Sequence, residues 1–282
     1  MQMLRLAALL LCAAFAGIAP AQERFSIFVP SEQENVERML KLAQLRDDDV
    51  VVDLGSGDGR IVLTAAKMNP KLVEESNAAA KAAGVADRVK FLHQNAFDAD
   101  LREATVIAMW FWPEMQRMMR HTILAQARPG TRVITNLWDM GSWPPDATDN
   151  NGGTVSLWIV PARVEGFWNW DLTLNGQRVT YGSIVEQRFQ TVEGIARAGK
   201  RREVLNDAKL RGEDISFSLV MTVDGVGFVR HEFRGKVNGD TITGTARVLL
   251  PPHEQKNFVE LPWRAVRVAK SNYFEPTGTD VK

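Results

Sequence analysis

Residues 51–60 read VVDLGSGDGR, an apolar run that meets an acidic residue and then alternating glycines. A strand turning sharply into a helix in this way can hold a nucleoside. Without a Cβ at Gly55 and Gly57, the backbone can turn tightly and approach a ligand. The free N–H groups at the start of the following helix would face the same place. Glycine spacing alone is common in tight turns, and it gains weight only when a strand precedes it and a helix follows. The plainer reading of Asp53 is that it caps the turn.

The surrounding pattern supplies that context. Val36 to Leu45 has apolar residues at helical spacing and is stopped by the polar turn Arg46-Asp47-Asp48-Asp49. Val50 to Leu54 is a short apolar run suited to a strand buried on both faces. Helices are expected over 59–67 and over 70–83, the second with proline at its start and Gly84 at its end. Strands are expected over 89–92, 105–110 and 131–137, with a helix over 113–127 closed by Arg128-Pro129-Gly130. Strands alternating with helices argue for a doubly wound α/β sheet.

The texture changes at WPPDATDNNGG, residues 143–153, which reads as a linker or long turn. Beyond it, period-two alternation and the hairpin dipeptides Asn175-Gly176, Asp224-Gly225 and Asn238-Gly239 predict about eight strands in an all-β sandwich or barrel. The expected division is a signal peptide at 1–21, an α/β domain at 22–145, a linker at 146–154 and a β-rich domain at 155–282.

The stretch DLGSGDGRIVLTAAK, from Asp53 to Lys67, resembles the signature of class I S-adenosylmethionine-dependent methyltransferases. The lead-in FVPSEQENVERMLKLA and the later ARPGTRVITN are similar to the same family. Within that family the chain resembles the small bacterial methyltransferases and protein lysine methyltransferase-like proteins with the same DLGSGDGRI loop. The resemblance covers roughly residues 28–145 and none of the β-rich half. It implies a Rossmann-like fold and S-adenosylmethionine as cofactor. It also implies that Asp53 orients the methionine part and that Gly55 and Gly57 admit the backbone to it. Asn95, in FLHQNAF, stands where the family has an acidic residue contacting the adenine amino group, and an amide oxygen can accept that bond.

One departure is topological. Around residues 67–70, AAKMNPKLVEES passes from one expected helix into the next, without the second strand whose end carries the ribose-binding carboxylate. Glu74 and Glu75 fall at a comparable distance but inside the expected helix, where solvated charge is the default.

Methyl transfer is mostly a matter of positioning. Where amino-methylating relatives often have an Asn/Asp-Pro-Pro-aromatic element, this chain has AMWFWPEM, residues 108–115. Trp110, Trp112 and Pro113 either shape an apolar acceptor slot or pack a core, with core packing the default. Glu114 is the nearest carboxylate and opens a helix, where negative charge is stabilised in any case. No residue is assigned a catalytic role.

Other chemistries are disfavoured. His93, His121, His231 and His253 have no ligand spacing, so no metal site is expected. Lys plus Arg equals Asp plus Glu at 34 each, so no global field favours nucleic acid. Phe167, Trp168 and Trp170 in FWNWDLTL could bind a ligand at a barrel mouth, with sheet packing the default.

Arg5, the apolar run to Ala19 and Ala19-Pro20-Ala21 form a secretory signal pattern. The run is too short for a membrane span. Cys12, inside it, is the only cysteine, which leaves the expected mature chain without a thiol nucleophile or disulfide. Export implies a periplasmic or extracellular location, away from the cytosolic supply of S-adenosylmethionine. Two functional readings follow. One is a methyltransferase of unknown acceptor, such as a protein side chain. The other is a non-catalytic envelope protein with a repurposed α/β unit and a β domain that binds a ligand or partner.

Overall fold

The computed structural model describes residues 32–55, 95–250 and 258–269. The signal segment, Gly57, the expected elements at 59–67, 70–83 and 89–92, the missing-strand segment, and Glu74 and Glu75 all lie outside these residues.

Helix α1 (Gln33–Ala43) buries Val36, Met39, Leu40 and Ala43, a single stripe at helical spacing. It begins before the expected Val36 and ends when Gln44 turns left-handed at φ 51°. Strands β1 (Val51–Leu54), β2 (Val106–Met109) and β3 (Arg132–Asn136) are parallel neighbours. Helix α2 (Pro113–Gln126) joins β2 to β3, with proline at its first turn where its missing N–H costs nothing. The two faces of the sheet have separate partners. Val51, Val106, Ala108 and Ile134 pack with the α1 stripe, whereas Leu54, Ile107, Met109 and Val133 pack with Met119 and Ile123 of α2. Helices covering both faces explain why these strands read as continuous apolar runs.

The expected linker and the boundary after it are corrected by the sheet. Residues 146–154 carry β4 (Ala147–Asp149), and Val155–Ile159 is β5, antiparallel to both β3 and β4. The first sheet therefore runs β1-β2-β3-β5-β4, and the Asn-Gly cluster is the β4–β5 turn. All five β5 residues are buried, the signature of a strand covered on both faces. Arg38 of α1 ties the hairpin down, donating to Asp149 Oδ2 at 3.0 Å and to the Gly153 carbonyl at 2.8 Å.

The β-rich half is one nine-stranded antiparallel sheet. It comprises β6 (Gly166–Leu174), β7 (Gln177–Arg188), β8 (Thr191–Ala198), β9 (Arg201–Val204), β10 (Asn206–Arg211), β11 (Asp214–Val223), β12 (Gly227–Asn238), β13 (Thr241–Leu249) and β14 (Phe258–Ala269). The strand order is β10-β11-β12-β13-β14-β6-β7-β8-β9. β9 lies against β11 and β10 against β8, so the sheet rolls on itself around one apolar core. Asn175 and Gly176 both have positive φ, as a two-residue hairpin with a mirror-type turn requires.

Alternation is clean along β6. Trp168, Trp170, Leu172 and Leu174 are buried, whereas Phe167, Asn169 and Asp171 are not. Trp170 stacks on Tyr181 at 5.4 Å and meets Phe233 and Trp263 edge-on. Within this core the Tyr181 hydroxyl and His231 Nε2 lie 2.8 Å apart. A neutral ring with its proton on Nδ1, facing the Leu219 carbonyl, accepts from the tyrosine. Burial pushes the tyrosine up and holds His231 down at about 4.

The two halves share a contact at Phe189, in the β7–β8 turn. Its ring is buried against Trp143 at 5.9 Å, nearly parallel, and belongs to the α2 side of the first sheet's core. Gln190 adds a bond from Nε2 to the Pro144 carbonyl at 2.7 Å.

Candidate functional site

In an open α/β sheet, ligands gather beyond the carboxyl ends of the parallel strands. Here those ends are Leu54, Met109 and Asn136; Leu54 pairs with Met109 and Met109 with Thr135, and Asn136 extends one residue further. Asp53 is the penultimate residue of β1, half-buried and opposite Ala108. Alternation puts Asp53 on the α1 side of the sheet and Leu54 on the α2 side.

Gly55 follows at φ 75°, in the left-handed region that favours glycine. A Cβ there would lie 2.6 Å from Cε1 of Phe111. The position thus needs glycine twice over, for its dihedral and for the ring on its backbone. Gly57 lies outside the described residues.

Asn95 is exposed and caps a 3₁₀ turn, Ala96–Asp98, with Oδ1 accepting from the Phe97 N–H at 3.1 Å. The turn is set against the core that holds Leu54 and Phe111, through half-buried Ala96 and Phe97. One Oδ1 lone pair is used locally, and the second remains for an outside donor. Gly55 and the Asn95 turn thus border the apolar cluster on the α2 side, whereas Asp53 faces the α1 side of the same strand end.

The chain after β2 divides its aromatic residues. Phe111 turns inward over Gly55, Trp110 is half-buried, and Trp112 is 50% exposed. Core packing, the default for Trp110, Trp112 and Pro113, therefore does not describe Trp112, and it is Phe111 that turns inward. Pro113 starts α2, and Glu114 stands exposed in its first turn.

Sequence reasoning missed the turn after β3. Leu137 has φ 72° and is 47% exposed, unusual for a branched apolar residue. The turn is over-determined. The Trp138 carbonyl accepts from Thr135 Oγ1 at 2.8 Å and from Nε2 of Gln116, which is fully buried in α2. The Leu137 N–H bonds the Thr154 carbonyl at 2.7 Å. Gln116 Oε1 is buried without a hydrogen-bond partner among the described residues. In sequence Gln116 is one more polar helix residue, and only the tertiary fold turns it inward.

The opposite, amino edge of the strands is closed. Arg132 pairs with Asp49 and donates to the Ala43 and Gln44 carbonyls at 2.8 Å each, and Thr105 Oγ1 donates to Asp49 at 2.7 Å. His121 stands on α2 and His231 in the rolled sheet, whereas His93 and His253 lie outside the described residues.

Comparisons with known proteins match the first half. The ANTKMT methyltransferase domain family matches residues 53–147. A protein-lysine N-methyltransferase of Saccharolobus islandicus is 32% identical over 149 residues, 47% of this chain and 92% of that protein. The adenine nucleotide translocase lysine N-methyltransferase of Mus musculus is 28% identical over 149 residues, covering 49% of this chain and 64% of that protein. An RNA methyltransferase of Salinibacter ruber, solved with S-adenosyl-L-homocysteine, is 41% identical, with a TM-score of 0.43; it covers 48% of this chain and 96% of that one. With nearly the whole of the archaeal protein spanned at that identity, the chain belongs to the methyltransferase family of these protein-lysine N-methyltransferase relatives.

Proposed function

We propose that this chain transfers methyl groups from S-adenosylmethionine to the side-chain amine of lysine in a protein acceptor. The observation that carries the reading is the likeness to the archaeal protein-lysine N-methyltransferase along 92% of that protein's length. The carboxyl edge fits such a cofactor by the chemistry of its donors. It offers a carboxylate near the end of β1, a glycine that turns the chain at positive φ beneath Phe111, and an amide acceptor at Asn95.

When bound, S-adenosylmethionine supplies a methyl group already activated on a sulfonium. Asp53 would hold the ammonium group of the amino-acid end, where a charge-assisted hydrogen bond would fix its direction. Gly55 supplies the left-handed turn that leads the chain away from β1, with the space of its missing Cβ taken by Phe111. Asn95 would accept from the adenine amino group with its second lone pair.

The acceptor amine must be neutral to attack, and lysine is ordinarily protonated at neutral pH. Trp110, Trp112 and the Leu137–Trp138 turn offer an apolar approach to the same edge. Removing water around an ammonium lowers its pKa and favours the neutral nucleophile. Exposed Glu114 stands at the start of α2 and can pass the released proton to solvent.

Incubating the full chain with methyl-labelled S-adenosylmethionine and a cell lysate, followed by peptide mass spectrometry, should reveal methyl-lysine on protein acceptors. Label confined to RNA, or found nowhere, would refute the lysine assignment.

A further inference from the structure

The outward face of β6–β9 carries a pattern that the methyltransferase half does not use. Phe167, Ile184, Ile195 and Val204 are direct cross-strand partners in one row. Their exposures are 38, 47, 50 and 50%. Single exposed apolar side chains are ordinary, but four in register make a contiguous apolar stripe on a solvent face.

The flanks of the stripe are charged, each with one sign. Two residues toward one end of the strands, Arg197 pairs with Arg202 across β8 and β9. Two residues toward the other end, Glu186 pairs with Glu193 across β7 and β8. All four are exposed, and none has an ion-pair partner among the described residues. Like charges directly opposed in a sheet are destabilising. A lone chain therefore keeps two repelling pairs beside an apolar row, an arrangement that folding alone does not reward.

We propose that this face is the contact of a homodimer whose two-fold axis runs along the apolar row. That axis lays each row residue over its counterpart and exchanges the two flanks. The arginine flank of each copy then meets the glutamate flank of the other, with Arg197 over Glu193. An axis along the strands would instead set arginine on arginine, so the charges select one of the two face-to-face arrangements. The glutamate flank also disfavours an anionic lipid surface as the occupant. The outer face of a rolled sheet is convex and the stripe is narrow, so the dimer is reversible and dependent on concentration.

Sedimentation velocity on the full chain over a concentration series tests this. The wild type should pass from monomer to dimer, and Ile195→Lys should raise the midpoint by about tenfold or more. The paired variants Arg197→Glu with Arg202→Glu, and Glu186→Arg with Glu193→Arg, should each remain monomeric alone, and mixing the two should restore the dimer. Circular dichroism confirms that each variant is folded. If one reversal variant fails to fold, folded Ile195→Lys still decides the matter, because wild-type dimerisation in it overturns the proposal. A wild type that is monomeric at every concentration also overturns it. So does a mixture no more dimeric than its components, or a wild type that binds phosphatidylserine vesicles in place of itself.

Discussion

The carboxyl edge of the parallel sheet and the interior of the rolled sheet both gather tryptophans, and they treat them in opposite ways. Trp168, Trp170 and Trp263 are almost fully buried, with rings stacked or edge-on to their neighbours. Trp110 and Trp138 are only half-covered, and Trp112 is half in water. Burying an indole is strongly favourable, so a side chain left at the surface forgoes stability that the rolled sheet collects. The strained, exposed Leu137 sits at that same edge, held by the doubly accepting Trp138 carbonyl. Strain that persists because its surroundings fix it points to a site. On the proposed reading, the difference is that between a surface shaped for a ligand and a core shaped for stability.

The closed amino edge sets the largest expected effect. The side chains of Asp49 and Arg132 are 4% and 10% exposed, so Arg132→Met strands a buried carboxylate. We expect a loss of about 3–5 kcal/mol, read from the urea midpoint. A loss below about 1 kcal/mol would mean that this edge is as permissive as the other.

A comparable effect belongs to the rolled interior. Its His231 titrates at about 4 when folded, against 6.5 for the free side chain. The unfolded chain therefore takes up the proton first. Stability is whole above pH 6.5 and falls as the pH drops toward 4, by about 3 kcal/mol for that one group. The double variant His231→Leu with Tyr181→Phe should remove this part of the acid sensitivity in denaturant titrations at the two pH values. An unchanged slope would show that the ring does not govern it.

At the carboxyl edge, Gly55→Ala should cost about 1–2 kcal/mol for the left-handed dihedral alone, with the Phe111 ring displaced in addition. Thermal melts of that variant with and without S-adenosylmethionine separate the backbone cost from lost binding. The smallest effect on stability is expected for Trp112→Ala, within about 0.5 kcal/mol, because the ring is half in water. Its kcat/KM for the protein acceptor should nevertheless fall by about tenfold or more, which separates a binding surface from a core. A variant that unfolds and loses activity in proportion would erase the distinction.

Much of the first sheet was legible because its strands are continuous apolar runs and its helices carry clear ends. Pro113 marks the start of α2, and Arg128-Pro129-Gly130 closes the segment just after it. The boundary near residue 154 was misread because a cluster of Pro, Asn and Gly marks a hairpin turn as well as it marks a linker. VSLWI contains the alternating Val155, Leu157 and Ile159, yet all five of its side chains are covered in the sheet. Local pattern cannot tell which sheet a short strand joins, since that choice rests on pairing with β3, which is distant in sequence. Asp53, Gly55 and Asn95 were visible as residue types in a motif. Gln116 and the Leu137 turn were not, because their roles arise only when α2 packs beside the end of β3.

Everything proposed for the carboxyl edge requires that it hold S-adenosylmethionine, and isothermal titration of the full chain tests that most directly. Saturable heat should be seen with both S-adenosylmethionine and S-adenosylhomocysteine, and it should vanish in a folded Asp53→Ala variant. No heat with either ligand at millimolar concentration, or undiminished binding in Asp53→Ala, would contradict it.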